Sequence, residues 1–157
     1  MSYDIRLLIL ASDESISDVA NREYAGPTVS SPESRARNAA IASAVKAKYP
    51  DLELFEGPDF IELSDISSGS GIQLSLSSQS GAFHVPYWHE DRASLVLGRL
   101  NDMLRIVLST SNFVAFDPQT EKQLDANIGV GISEQKAYAA GVSVTRELAP
   151  KPWWKLW

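Results

Sequence analysis

The segment from residue 82 to residue 119, AFHVPYWHEDRASLVLGRLNDMLRIVLSTSNFVAFDPQ, constrains the fold of this chain most strongly. Apolar residues recur in it at intervals of three and four, which is the period of one face of an α-helix. This stripe consists of Leu97, Leu100, Met103, Leu104, Val107 and Leu108. Glu90 and Asp91 precede it, where acidic side chains interact favourably with a helix N-terminus. The segment therefore predicts a strand, one long helix and a second strand over residues 113–116.

A second helix is predicted over residues 31–49. Ser31 is suited to cap its N-terminus, and Pro32 is suited to the first helical position, where a missing N–H costs nothing. The helix should stop before Pro50, and its many alanines favour helix and allow close packing on a sheet.

Short strands are predicted between and around these helices. The clearest is residues 72–76, where apolar and polar residues alternate strictly, as in a strand with one packed and one wet face. Residues 5–11 are apolar on both faces and suit an inner strand. Further candidates lie at residues 52–55, 60–63, 82–85 and, more weakly, 123–124.

The order of these elements predicts the fold class. Strands do not alternate with helices, which argues against a doubly wound parallel sheet. We expect an α+β two-layer sandwich, in which two main helices pack on one face of a mostly antiparallel sheet of about five strands. The chain has no internal repeat, and we interpret residues 1–157 as a single domain, with a core over 1–125 and a C-terminal extension over 126–157 that ends in a tryptophan-rich tail.

The composition excludes several classes of function. The net charge of −6 and the absence of a basic cluster argue against nucleic-acid binding and favour a basic protein partner. The chain has no cysteine, which excludes disulfides, thiolate catalysis and cysteine-based zinc sites. No run approaches the roughly 20 apolar residues that cross a bilayer, so we predict no integral membrane segment and a cytoplasmic location.

The two histidines form one candidate site. His84 lies on a predicted strand, while His89 stands beside Glu90 and Asp91 at the entrance of the long helix. These side chains would make an acid–base or metal cluster if they converged, but their spacing matches no standard metal motif. We therefore predict no metal and no cofactor, and keep a small hydrolase or metal-dependent enzyme as the alternative function.

Asp117 and Gln119 form a second candidate. The sequence Asp-Pro-Gln-Thr at residues 117–120 favours a turn, since Asp suits its first position, Pro its second, and the carboxylate can accept from the amide two residues on. The functional alternative is that both side chains present polar groups to a ligand beside the sheet.

Trp153, Trp154 and Trp157 are the most unusual feature of the composition. These residues would either pack back on the domain or anchor a protein partner, because tryptophan is enriched at binding hot spots. Lys151 and Lys155 flank them, which leaves contact with a membrane surface as a third interpretation.

Short motifs give the chain a resemblance to a group of small, uncharacterised bacterial proteins. The motifs are Ser-Tyr-Asp at residues 2–4, Val-Pro-Tyr-Trp at 85–88 and Phe-Asp-Pro-Gln at 116–119. In the group, an early Ser-Tyr-Asp and a late Tyr/Phe-Asp-Pro-Gln bracket one α+β domain, and the resemblance covers about residues 1–125. It implies a role like that of the small acidic proteins of this kind that accompany secreted toxins as immunity proteins, with no catalytic residues to transfer. The serine-rich middle and the tryptophan-rich tail depart from the pattern.

The leading hypothesis is a non-catalytic binding protein of the immunity type, which occludes a basic toxin domain. The enzyme that uses His84 and His89 is the first alternative, and a peripheral membrane or scaffold protein that acts through its tryptophans is the second. We expect the partner surface on the loop over residues 12–31, the serine-lined sheet face or the tail. The sequence predicts no particular oligomeric state.

Overall fold

The structure, a computed structural model, describes residues 2–20, 30–87, 90–125, 136 and 138–141. Its elements in chain order are β1 (Ser2–Leu8), α1 (Ile16–Ala20), α2 (Pro32–Lys48), β2 (Glu53–Glu56), β3 (Ile61–Ser64), β4 (Gln73–Leu76), β5 (Ser80–Pro86), a 3₁₀ turn (Glu90–Arg92), α3 (Ala93–Thr110), β6 (Val114–Asp117) and β7 (Lys122–Leu124). The predicted α+β class with two main helices is confirmed.

The described strands form one antiparallel sheet in the order β2-β3-β4-β5-β1-β6-β7. The prediction of about five strands is wrong, because the described part of the sheet has seven. The two outermost strands are only four and three residues long, and both coincide with candidates that the sequence offered, at residues 52–55 and 123–124. β1 lies between β5 and β6, which confirms that it is an inner strand.

One face of the sheet, the core face, carries the main hydrophobic core. α2 and α3 both contribute to this core, through residues such as Ile41 and Leu100, and they pack against the buried side chains Tyr3, Ile5 and Leu7 of β1. The opposite face, the open face, is covered at one corner by the short helix α1, whose Val19 packs in a second small cluster with Leu8 and Phe116.

Local sequence accounts for the start of α2 but not for the start of α3. The Ser31 hydroxyl caps α2 by accepting the N–H of Ser34 at 3.1 Å, and Pro32 occupies the first turn, as predicted. Glu90 and Asp91 lie in the 3₁₀ turn rather than in α3 itself, and no side chain caps α3. The predicted stripe of α3 is buried except for Leu108, which is half-buried.

None of the described helices combines the length and the apolar character that a membrane span requires. The longest, α3, has 18 residues, but Arg99, Asp102 and Arg105 interrupt its apolar surface.

Candidate partner-binding surface

The edge of the sheet at β2, with the turn into β3, exposes three large apolar side chains. Phe55 is 62% exposed, Leu54 42% and Phe60 40%. The rings of Phe55 and Phe60 lie in contact, with centroids 5.7 Å apart. Exposed apolar side chains that adjoin one another mark interaction surfaces more often than isolated ones do. We call this surface, residues 53–62, the acidic edge.

Carboxylates surround the aromatic residues of the acidic edge. Glu53 and Glu56 flank Leu54 and Phe55 on β2, while Asp59 lies in the turn after it; all three are exposed. Glu62 follows on β3 and is half-buried. The acidic edge therefore presents a hydrophobic centre with an anionic rim, the arrangement expected of a site for a partner with basic residues.

The backbone of the acidic edge is available on one side. β2 pairs with β3 from Glu53↔Ser64 to Glu56↔Ile61, and it ends the sheet order. Within the described residues no strand pairs with its outer side, so its outward N–H and C=O groups have no ladder partner there.

A cavity of about 180 Å³ adjoins the acidic edge, between the hairpin and the N-terminal half of α2. Its lining includes Glu56, Asp59 and Phe60 from the hairpin and Arg35 from α2. Asp59 also fixes the turn to the chain before α2, because its carboxylate accepts the N–H of Ser30 at 3.0 Å.

The second candidate site from the sequence, around Asp117, is largely internal. The buried carboxylate of Asp117 accepts the Tyr3 hydroxyl at 2.7 Å, the backbone N–H of Gln119 at 2.8 Å and the Thr120 hydroxyl at 2.9 Å. The bond from Gln119 N–H is the one that the turn interpretation requires. In the orientation that satisfies its amide, Gln119 also donates to Asp117 and, at 2.9 Å, to the backbone carbonyl of Asp4. Two of the short motifs, at residues 2–4 and 116–119, are thus joined in space.

Aromatic rings surround this Tyr3–Asp117 cluster. Tyr138 packs edge-on against Tyr3, with centroids 6.0 Å apart, and its ring is tilted against that of Tyr87, with centroids 5.6 Å apart. Burial raises the pKa of Tyr87, and the negative charges of Asp4 and Asp117 raise it further. The cluster offers a partner little surface, since Tyr3 and Asp117 are both fully buried.

His84 lies on the open face and is 44% exposed at its side chain. Its Nδ1 lies 2.9 Å from Asp4 Oδ1, and the hydroxyl of Ser2 donates to that same oxygen at 2.7 Å. Because serine and histidine both contact the carboxylate and not each other, this is not the serine–histidine–carboxylate chain of a nucleophilic enzyme. The described residues contain no group of three or more histidines, cysteines or acids that would hold a metal.

The remaining sequence candidates lie outside the described residues. These are His89, Trp153, Trp154 and Trp157, so the convergence of the two histidines and the packing of the tryptophans remain predictions. The predicted loop surface falls partly outside as well, because residues 21–29 are not described.

A buried ion pair under α3 was not predicted from the sequence. The Asp65 carboxylate is fully buried, with Oδ2 2.5 Å from Arg99 Nε and accepting the Ser70 hydroxyl at 2.6 Å. The spacing of three in α3 would let Asp102 lie between Arg99 and Arg105, but only Arg105 contacts it, at 3.7 Å, and Arg99 turns to Asp65 and Asp51 instead. In the sequence Asp65 is an isolated acid after a strand, and nothing in its local sequence connects it with Arg99 on α3.

Arg99 also stacks on Tyr49, with its guanidinium carbon 4.2 Å from the ring centroid. The Tyr49 hydroxyl donates to Asp102 at 3.0 Å, and Lys48 lies 3.0 Å from the same carboxylate. Burial, followed by the hydrogen bond to Asp102 and its negative charge, raises the pKa of Tyr49 to about 12. This network fixes α2 against α3 and is structural in character.

Comparison with known proteins leaves the functional assignment to the geometry. No family model matches the chain, and neither a curated protein nor a solved structure matches it. The resemblance carried by the motifs at residues 2–4 and 116–119 therefore stays a prediction.

Proposed function

We propose that this chain is a non-catalytic binding protein that occupies a basic protein partner, in the manner of an immunity protein that occludes a toxin domain. One observation carries the proposal: the acidic edge exposes adjoining aromatic side chains inside a rim of carboxylates. The core does not contain Phe55 or Phe60, and takes Ile61 and Leu63 from the same hairpin instead.

The two components of the acidic edge would have separate roles in binding. Glu53, Glu56 and Asp59 would attract a basic surface over several ångströms and raise the association rate, which salt would then lower. Phe55 and Phe60 would supply the desolvated contact that slows dissociation, as aromatic anchors do at interface centres. The net charge of −6 acts in the same direction as the local carboxylates.

The test is to recover partners of the tagged full chain from its native organism, and then to measure direct binding of each purified candidate. We expect a protein with a basic surface, whose affinity falls as ionic strength rises from 50 to 300 mM. The variant Phe55→Ser/Phe60→Ser should lose most of the affinity, while Leu95→Ser, which removes an exposed apolar side chain elsewhere, should retain it.

Three outcomes would overturn the proposal. The first is recovery of no protein that binds directly after purification. The second is a direct partner whose binding is indifferent to salt, and the third is equal loss of affinity in Leu95→Ser and in the double phenylalanine variant.

A further inference from the structure

We propose that the acidic edge binds an extended basic segment of its partner as an additional strand beside β2, with one lysine or arginine of that segment at the adjoining cavity. The inference rests on the proposed function and specifies how the partner is held. Three independent features of the described residues support it: the available backbone, the distribution of side chains over the two faces, and the charges.

The backbone of β2 can continue the sheet by one strand. In an antiparallel ladder, alternate residues direct both their N–H and their C=O groups to the same neighbour. β2 is paired along all of its residues, Glu53 to Glu56, on the β3 side, so the alternate residues are directed outward. An added strand would satisfy these groups, which is the usual source of affinity when extended peptides bind to sheet edges.

The side chains of β2 would contact an added strand on both faces of the sheet. Glu53 and Phe55 belong to the open face, while Leu54 and Glu56 belong to the core face, as the register with Leu63 and Ile61 requires. An added strand would therefore meet Phe55 on one face and Leu54 on the other.

The cavity explains why a basic side chain is expected at one position. It adjoins the core face beside Glu56 and is also lined by Asp59, so two carboxylates lie at this place. Phe60 lines it as well and is suited to cover the aliphatic stem of a lysine or arginine. Arg35 is the basic residue of the lining, which leaves the acids in excess.

The charges also argue against a second copy of this chain as the occupant. Two copies joined through β2 would bring Glu53 and Glu56 of one close to the same residues of the other. Like charges across neighbouring strands are destabilising, and acidic residues on edge strands are one way in which proteins prevent such pairing. The same residues that oppose self-association would favour a basic strand.

The experiment uses a defined probe, a fluorescent peptide of four Lys-Val repeats, with the full chain. A second peptide of the same sequence carries N-methyl groups on alternate residues, which removes backbone donors without changing charge. We expect the first peptide to bind and to protect the amides of residues 53–56 from hydrogen exchange. The methylated peptide should bind about tenfold more weakly, since the lost backbone bonds are each worth a few-fold in affinity.

Matched variants separate the edge from overall charge. Glu53→Gln/Glu56→Gln should weaken peptide binding about tenfold, whereas Asp13→Asn/Glu121→Gln, which removes two exposed acids elsewhere, should change it less than twofold. Sedimentation of the free chain measures self-association in the same samples.

The outcomes distinguish this inference from the proposed function. If a purified basic partner binds through Phe55 and Phe60 while residues 53–56 exchange as before, strand addition is wrong and the proposed function stands. Equal binding of the two peptides, or equal effects of the two double variants, also excludes strand addition. If the Lys-Val peptide fails to bind and the chain forms a dimer that Glu53→Gln/Glu56→Gln strengthens, the occupant of the edge is a second copy of this chain and the proposal of a basic partner strand is wrong.

Discussion

The Tyr3–Asp117 cluster and the acidic edge contain the same kinds of side chain and use them in opposite ways. In the cluster, Tyr3 and Asp117 are fully buried, and the Asp117 carboxylate accepts hydrogen bonds from its own turn and from β1. At the edge, Phe55 and Phe60 are exposed and the neighbouring carboxylates face solvent. An aromatic–acid combination is thus available to a partner only where the fold has left it unsatisfied.

The comparison predicts that buried acids control stability and exposed acids control binding. Asp65 is the extreme case, because it is buried with a cationic partner and its Oδ1 accepts no hydrogen bond within the described residues. Removing one member of such a pair leaves an uncompensated charge.

The largest effect is expected from Arg99→Met. This substitution keeps most of the side-chain stem but leaves the Asp65 carboxylate without its cation, which should lower the free energy of unfolding by about 3–5 kcal/mol. Urea denaturation measures the change. The double variant Asp65→Leu/Arg99→Met should recover much of this lost stability, since the buried charge is then absent. If the double variant instead loses as much stability as the single variants Arg99→Met and Asp65→Leu together, the ion pair is not the cause.

Asp117→Ala should lower the free energy of unfolding by about 2–4 kcal/mol, because the buried Tyr3 hydroxyl and the amide of Gln119 lose their acceptor. Glu53→Ala, at the acidic edge, removes an exposed acid and should change it by less than about 0.5 kcal/mol. Partner affinity should respond in the opposite order, with a loss in Glu53→Ala only. A folded Asp117→Ala protein that no longer binds would show that the cluster takes part in recognition.

The sequence could predict the architecture and the features that are local in the chain. Periodicity identified both main helices, and the capping pattern at Ser31 and Pro32 gave the start of α2 within one residue. Asp117 was predicted as a turn residue because its hydrogen bond to Gln119 is local in the chain. Its bond with Tyr3 joins residues 114 positions apart, and local patterns carry no information on such pairs.

The acidic edge was not predicted as a surface, for the same physical reason. Phe55 and Phe60 look like ordinary strand residues in the sequence, and only the position of β2 at the end of the sheet exposes them. Exposure of an edge depends on strand order, which is a property of the whole sheet. Asp117 and Gln119 were predicted as candidate site residues because their motif is locally unusual, but the turn that they form accounts for the motif.

A third, smaller effect concerns alkaline pH. The pKa of Tyr49 is raised to about 12 by burial and by Asp102, whereas an unfolded tyrosine has a pKa near 10. Between these values the unfolded chain has lost a proton that the folded chain retains, so the stabilisation is complete below pH 10 and is lost as pH rises to about 12. Tyr49→Phe should abolish this part of the pH dependence, at a cost of about 1 kcal/mol at pH 7 for the lost hydrogen bond.

Ultraviolet titration of the phenolates checks this prediction. Tyr87→Phe is the matched control, since burial and the charges of Asp4 and Asp117 raise the pKa of Tyr87 too. Each variant should remove one late-titrating phenolate. If Tyr49→Phe leaves the titration above pH 10 unchanged, the network between α2 and α3 does not hold Tyr49 as described.

The smallest effect is expected from His84→Gln. The contact between His84 and Asp4 is half-exposed on the open face, and such pairs contribute only about 0–1 kcal/mol. Glutamine keeps a polar side chain there, so both the midpoint of urea unfolding and the affinity for the partner should stay nearly unchanged. Ser2 and His84 share one carboxylate oxygen without contacting each other, so His84 is not part of a serine–histidine–carboxylate chain. An activity of the wild type that His84→Gln abolishes, with stability intact, would contradict the division between buried and exposed acids and favour the enzyme alternative.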